Sequence, residues 1–232
     1  MVSALFDRAA AGYDSWYETE LGREADRAER SLIENMFIPP GPRILEVGCG
    51  TGQYTTWLAQ QGLELTAVDV SREMLAKAQA KLAALNLKAG WLKADINEIL
   101  HRLGRYHGIL SMTAFEFIPK PEQVLQKLFQ HLEAGGCLVI GVIAGESAWS
   151  EQYQEIARAK PTSVFAQANF YSKAEIRSWQ VGGRLELAGG LYFPPSVKSV
   201  QEALDLEQRR EGNPGFLAAK WVKDSNGIGP SS

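Results

Sequence analysis

The sequence predicts a doubly wound α/β fold, a mostly parallel sheet with helices on both faces. Between Arg43 and Ile143, β-rich runs alternate with amphipathic helical stretches, the rhythm of βαβ crossovers. The run Cys137 to Ile143 is continuously apolar, as a parallel strand buried on both faces must be. A glycine-rich turn, Gly48-Cys49-Gly50-Thr51-Gly52, stands where the first strand meets the first crossover helix. At 232 residues the chain is long enough to bury such a core without disulfide or metal staples.

The elements follow in order. A charged helix is expected from about Phe6 to Phe37, with Leu21, Leu32, Ile33 and Met36 as its apolar points, stopped by Pro39-Pro40-Gly41-Pro42. Arg43 to Val47 is strand one. Gln53 to Gln61 is a helix with Tyr54, Trp57 and Leu58 at three-and-four spacing, ended by Gly62. Leu63 to Asp69 is strand two. Ser71 caps a helix whose stripe is Met74, Leu75, Ala78, Leu82 and Leu85. Lys88 to Asp95 is a weaker third strand, followed by a short helix through Leu103, and Tyr106 to Met112 is the fourth strand. Val124, Leu125, Leu128, Phe129 and Leu132 mark a further helix, with Gly135-Gly136 read as its stop. After Gly145 the rhythm breaks: 146–171 reads as an insertion, Ser172 to Trp179 as a helix, and Leu185 to Phe193 and Phe216 to Val222 as late strands around a helix from Val197 to Arg210.

Composition narrows the function classes. A net charge of −3 and a hydrophobic share of 45% describe a globular chain with no field for nucleic acid or an anionic surface. Two cysteines, Cys49 and Cys137, make neither a disulfide framework nor a zinc site, so no metal is expected. No apolar run is long enough to span a membrane and the N-terminus has no apolar signal core, which leaves the cytoplasm as the expected compartment.

The crevice at the carboxyl ends of the strands is where doubly wound sheets bind ligands. A dinucleotide loop there reads G-x-G-x-x-G. Here Gly48 and Gly50 fit, but Gln53 occupies the third position and the glycine comes one residue early, at Gly52. The run from Glu46 to Gln61 carries no lysine or arginine, so the loop is suited to a ligand without phosphate. Ile44 to Thr55, ILEVGCGTGQYT, is similar to the first motif of the class I S-adenosylmethionine-dependent methyltransferases. The likeness continues through Ala67 to Ser71, Lys93 to Ile96 and Gly108 to Ile118. The segment Tyr13 to Tyr17, YDSWY, resembles the lead of the small-molecule branch near the ubiquinone and menaquinone methyltransferases.

That resemblance implies a seven-stranded Rossmann-like sheet in the order 3-2-1-4-5-7-6, with Phe216 to Val222 as its antiparallel strand, and S-adenosyl-L-methionine as cofactor. It places Glu46, Gly48, Cys49, Gly50, Gly52 and Gln53 around the methionyl portion. Asp69, ending strand two, would accept from the ribose hydroxyls, and Val70 and Met74 would flank the adenine. Asp95 would accept from the adenine amino group, with Ile96 on the ring. Ser111, Met112 and Thr113 would line the methionyl end. Glu116, on the lip of the crevice, is the candidate acceptor-side catalytic acid; members of that branch often carry histidine beside it, where this sequence has Phe117. The N/D-P-P-Y/F motif of amino-methylating nucleic-acid enzymes is replaced by Ser111-Met112-Thr113-Ala114. His101, His107 and His131 sit in predicted helices and strands and are read as structural.

Three domain-level expectations complete the reading: residues 1–40 as a helical lid segment, 41–223 as the methyltransferase domain with 146–171 on the acceptor side, and 224–232 as a flexible tail. Tyr13 and Tyr17 are expected at the cofactor and, with Trp149, Tyr153, Phe165 and Phe170, would form an aromatic lid over a small, partly apolar acceptor. Two other functions use the same crevice. A nicotinamide-dependent oxidoreductase would need glycine at Gln53 and a group to hold a pyrophosphate. A non-catalytic module would bind the cofactor with its acceptor space filled.

Overall fold

Ile44, Leu45 and Val47 give Arg43–Val47 (β1) two apolar faces, a composition that calls for strands on both edges and helices on both sides. The computed structural model, which describes residues 2–225, supplies both. β1 pairs in parallel with Glu64–Asp69 (β2) and with Tyr106–Met112 (β4). Gly90–Lys93 (β3) lies beyond β2, and Leu132–Ile143 (β5) beyond β4, both parallel. Arg184–Gly190 (β6) forms the far edge, and Phe216–Val222 (β7) is inserted antiparallel between β5 and β6. The order is 3-2-1-4-5-7-6, as the resemblance implies.

Side-chain alternation along each strand separates two layers of core. Ile44, Leu110, Val139 and Ala218 join one layer, under Glu20–Met36 (α3), Gln53–Gln60 (α4) and Val200–Arg209 (α10). Leu45, Ile109, Leu138 and Ala219 join the other, under Ile96–Ile99 (α6), Pro121–Gln130 (α7) and Lys173–Ser178 (α9). No helix among the described residues is long and apolar enough to cross a membrane.

The structure corrects four details. The N-terminal helix is three helices: Val2–Tyr13 (α1), Ser15–Glu18 (α2) and α3. Thr19 divides them with an extended backbone (φ −73°, ψ 154°), and its hydroxyl accepts the Gly22 N–H at 2.9 Å, which starts α3 as a new helix. Only α1 and α2 stand off the core, because α3 buries Ala25, Leu32, Ile33 and Met36 and packs on β5, β6, β7 and α10. Gly135 and Gly136 do not stop a helix. His131 ends α7, and the glycines lie within β5, where the pairing with β4 shifts register between Tyr106 and Gly108. Leu85 leaves the stripe of Arg72–Ala84 (α5) and is 48% exposed, since it follows the last helical turn. Residues 226–232 of the expected tail lie outside the described residues.

Residues 146–171 form Ala148–Ala159 (α8) and a 3₁₀ turn at Val164–Gln167, and the chain returns to the sheet by a bridge between Ala144 and Tyr171. Ser147 opens α8 with a reciprocal cap to Ser150.

Trp221 is 1% exposed and pairs with Leu138 in the antiparallel join between β5 and β7. Trp221→Ala is expected to cost about 3–5 kcal/mol of stability, the usual range for truncating a large buried aromatic, read as a lower midpoint in urea unfolding.

Candidate cofactor site

Parallel pairing brings the ends of β1, β2, β3 and β4 to one edge of the sheet, with Val47 beside Val68, Asp69 beside Lys93 and Glu46 beside Leu110. The chain leaves β1 through a loop bonded back to β2: Gly48 N–H and Cys49 N–H both donate to the Val68 carbonyl, at 2.8 and 3.1 Å. Gly48 has a left-handed backbone (φ +71°), and a Cβ there would lie 2.3 Å from that of Ala114, so only glycine lets the two loops touch. Gly50 is also left-handed (φ +53°), but a Cβ there would meet no protein atom within 4 Å. It faces open space because it lines a cavity of about 540 Å³.

Asp69 organises this edge. Its Oδ2 accepts the Gly50 N–H and its Oδ1 the Ser71 N–H, each at 2.8 Å. One carboxylate therefore ties the glycine loop to the start of α5, and each oxygen keeps a lone pair for a further donor. Burial raises the Asp69 pKa above its ordinary value, and the two backbone donors oppose that shift. Further along the wall, Asp95 caps α6 by accepting the Asn97 N–H at 2.9 Å. Val70, Met74 and Ile96 supply apolar wall between the two acids, and Met112, Thr113 and Ala114 the wall at the end of β4. Thr113 is held at φ +46°, a strained conformation of a kind that clusters at functional sites.

The roof of the cavity is α1, whose Ser3, Phe6 and Tyr13 line it. Asp7 Oδ1 accepts the Ser71 hydroxyl at 2.6 Å, and hydrogen bonding there holds the Asp7 carboxyl below its usual pKa. Asp14 Oδ1 accepts the Thr51 hydroxyl at 2.6 Å, and its Oδ2 lies 3.5 Å from Lys81 Nζ. The Phe6 ring meets Phe117 edge-on at 4.9 Å. Asp7 and Asp14 are seven residues apart, two helical turns, and so share the face that meets the protein.

Of the residues singled out in the sequence, Tyr13, Gly48, Gly50, Asp69, Val70, Met74, Asp95, Ile96, Met112 and Thr113 line the cavity. Ser111 stands behind the wall, where its hydroxyl donates to the Val47 carbonyl at 2.7 Å and joins β4 to β1. Glu46 is buried beneath the loop facing Thr55, and burial pushes its carboxyl up to about 8. Cys49 is a buried filler whose thiol is raised well above the ordinary value by desolvation. Gly52 and Gln53 start α4 outside the wall, and Tyr17 stands off it with its ring 6.4 Å from that of Tyr13.

Glu116 departs from its expected place on the lip. It is 1% exposed, in a 3₁₀ turn, with Oε1 accepting the Ile143 N–H at 2.9 Å and Oε2 buried without a partner. The turn folds the side chain under the sheet edge, and desolvation raises its carboxyl to about 7. The expected aromatic lid divides too. Trp149 is a core residue whose indole N–H donates to the Phe193 carbonyl at 2.7 Å, while Tyr153 stacks on Phe165 at 4.3 Å. His107 Nδ1 accepts the Arg43 N–H and His131 Nδ1 lies 2.9 Å from the Gly104 carbonyl, both structural positions. Phe6, Asp7 and Asp14 were not singled out, although the seven-residue spacing of the two acids was a readable signal.

Comparison with known proteins bears on this arrangement. A family model described as "Methyltransferase domain" matches residues 44–136, the span from β1 into β5 that carries the loop, Asp69 and Asp95. An uncharacterized protein of Mycobacterium bovis is 31% identical over 97% of this chain and 75% of its own length. The chain belongs to the class I S-adenosylmethionine-dependent methyltransferases. A ubiquinone biosynthesis O-methyltransferase of Xanthomonas axonopodis pv. citri is 24% identical over 82% of this chain and 84% of its own length. Among solved structures, a Thermotoga maritima S-adenosylmethionine-dependent methyltransferase described as a possible histamine N-methyltransferase superposes with a TM-score of 0.73. It is 19% identical, over 97% of this chain and 100% of that one, a likeness of fold. The chain spans 38%, 55% and 66% of the length of the first three curated relatives it matches.

Two outcomes follow for this methyltransferase edge. Losing Asp7 of α1, or Asp14 just after it, removes a hydrogen bond to a charged acceptor, about 1.5–3 kcal/mol, so Asp7→Ala and Asp14→Ala should each speed limited proteolysis within 2–20 and leave the β-sheet resistant. Stability should also depend on pH through Glu46. Its folded pKa lies above the ordinary 4.5, at about 8. Its contribution is therefore fully present below the unfolded value and is lost as pH rises through the folded one. Unfolding free energy should fall from pH 5 to pH 8, and Glu46→Gln should flatten that fall in urea titrations.

Proposed function

We propose that the chain transfers a methyl group from S-adenosylmethionine to a small, partly apolar acceptor by in-line displacement. The observation that carries this reading is the cavity at the strand ends, where Asp69 and Asp95 stand beside the apolar Val70, Met74 and Ile96 and the open space at Gly50, with Lys93 and Glu98 also on the lining. S-adenosylmethionine supplies an activated methyl on a sulfonium, so the protein's work is to bind, orient and exclude water. The residues present suit that cofactor. Asp69 keeps a lone pair on each oxygen for the ribose hydroxyls. Asp95 would accept from the adenine amino group, with Val70, Met74 and Ile96 against the ring. Gly48, Gly50, Met112 and Thr113 would surround the methionyl portion, close to the backbone because no Cβ intervenes at the glycines. The roof helix α1 would shut the site from water.

Gln53, at the third position of a dinucleotide loop, and the absence of lysine or arginine from Glu46 to Gln61 favour this reading over a nicotinamide-dependent one. The acceptor space is assigned beyond Tyr13 and Thr113, on the side of Glu116.

Calorimetry with S-adenosylhomocysteine tests the cofactor half. Loss of a charged acceptor to a buried ligand costs about 1.5–3 kcal/mol, so Asp69→Ala should weaken binding about 10- to 150-fold. An unchanged dissociation constant in a folded Asp69→Ala protein, or binding of NADH in place of S-adenosylhomocysteine, would remove the reading.

A further inference from the structure

α1 crosses the crevice from the loop after β2 to the loop after β4. Ser3, Phe6, Ala10 and Tyr13 recur at three-and-four spacing and form its inward stripe: Ser3, Phe6 and Tyr13 line the cavity, and Ala10 is 2% exposed. Asp7 lies one residue on from Phe6, so it turns toward α5 while the Phe6 ring meets Phe117 on the other side. Phe6 and Tyr13 join neither core layer of the sheet. Polar contacts hold the helix down instead. Lys77 Nζ donates to the Ala11 carbonyl at 3.3 Å, and just past the helix Asp14 accepts the Thr51 hydroxyl at 2.6 Å.

Asp7 is bonded to the start of α5. Its Oδ1 accepts the Ser71 hydroxyl at 2.6 Å and the Glu73 N–H at 3.3 Å. A carboxylate therefore sits at the N-terminal turn of a 13-residue helix, where free N–H groups and the helix dipole favour negative charge. Ser71 is fully buried and fully engaged. Its hydroxyl donates to Asp7 and accepts the Met74 N–H at 3.1 Å, while its amide donates to Asp69 Oδ1 at 2.8 Å. Asp69 Oδ2 in turn accepts the Gly50 N–H. One residue thus stands between the acid that lines the cavity and the acid that holds its roof. Asp7 itself lies off the cavity wall.

We propose that Asp7 is a positioning residue for the cofactor, setting through Ser71 how long S-adenosylmethionine or its product stays bound, an inference that rests on the methyl-transfer reading above. A ligand on Asp69 fixes the turn at Ser71. That turn presents a hydroxyl and the Glu73 N–H to Asp7, which docks α1 and brings Phe6 and Tyr13 over the ligand. The coupling runs both ways, because a docked α1 holds Ser71 and with it Asp69 in place. Escape of the ligand requires α1 to lift, so the charge-assisted bond from Ser71 to Asp7 must break first. Residence time then follows the strength of that bond, although Asp7 touches neither the cofactor nor the methyl group. Opening of an enclosed site for product release is a step that sets turnover in many enzymes.

The test is the dissociation rate of S-adenosylhomocysteine from the full chain, read by surface plasmon resonance on immobilised protein. Asp7→Ala is expected to raise that rate about tenfold, the lower end of what losing a bond to a charged acceptor gives. Asp7→Asn keeps an oxygen that accepts the Ser71 hydroxyl and should return the rate to within about threefold of the unsubstituted protein. In a Ser71→Ala background, which already lacks the hydroxyl, Asp7→Ala should add less than about threefold. A residue that merely stabilises the fold would lower the unfolding midpoint without this pattern of rates. An Asp7→Ala rate within about twofold of the unsubstituted protein overturns the inference. So does an Asp7→Asn rate as fast as that of Asp7→Ala, or a full Asp7→Ala effect that persists without the Ser71 hydroxyl. Should Ser71→Ala fail to fold, the comparison of Asp7→Ala with Asp7→Asn decides. Failure of the unsubstituted protein to bind S-adenosylhomocysteine would instead strike the cofactor reading.

Discussion

A single carboxylate sets the geometry on which the site depends. Asp69 ends β2 and accepts one backbone N–H from the glycine loop and one from the turn into α5, each at 2.8 Å. Those bonds hold two loops from neighbouring parallel strands at a fixed separation, and the cavity is the space between them. The loop can take that path because Gly48 and Gly50 adopt left-handed backbone and Gly48 tolerates Ala114 where a side chain would collide. Burial works against the Asp69 charge and raises its pKa, while the backbone donors oppose that shift.

The second constraint is the helix laid across that edge. α1 shares little with the sheet; it is joined to α5 and the glycine loop through Asp7 with Ser71 and Asp14 with Thr51, and to the loop after β4 through Phe6 on Phe117. Ser71 shows how closely roof and floor are linked, because its hydroxyl caps α5 at Met74 and donates to Asp7 while its amide binds Asp69. A ligand on Asp69 therefore meets residues one bond away from the roof. Elements joined by a few polar contacts open at low cost, which is what entry to an enclosed site requires.

The strands and crossover helices were legible because periodicity and glycine punctuation are local. β1, β4 and β7 start and stop where apolar runs do, and the loop, Asp69 and Asp95 fall at strand ends that the alternation alone locates. What escaped depends on one residue or on distant ones. Thr19 splits the N-terminal helix with a single cap, and the charged pattern on either side continues as if unbroken. Gly135-Gly136 looks like a helix stop until the pairing of Leu132 with Tyr106 places it inside a strand. Glu116 reads as an exposed loop acid, and only the fold shows its bond to Ile143, 27 residues on.

Backbone hydrogen exchange with and without S-adenosylhomocysteine probes the central claim most directly, that cofactor sits on Asp69 beneath α1. The account predicts slower exchange at saturating ligand in Gly48–Gly52, in 69–75 and across Val2–Tyr13, with β6 and β7 unchanged. Exchange in those three segments that ignores saturating S-adenosylhomocysteine, or protection confined to other parts of the chain, would contradict it.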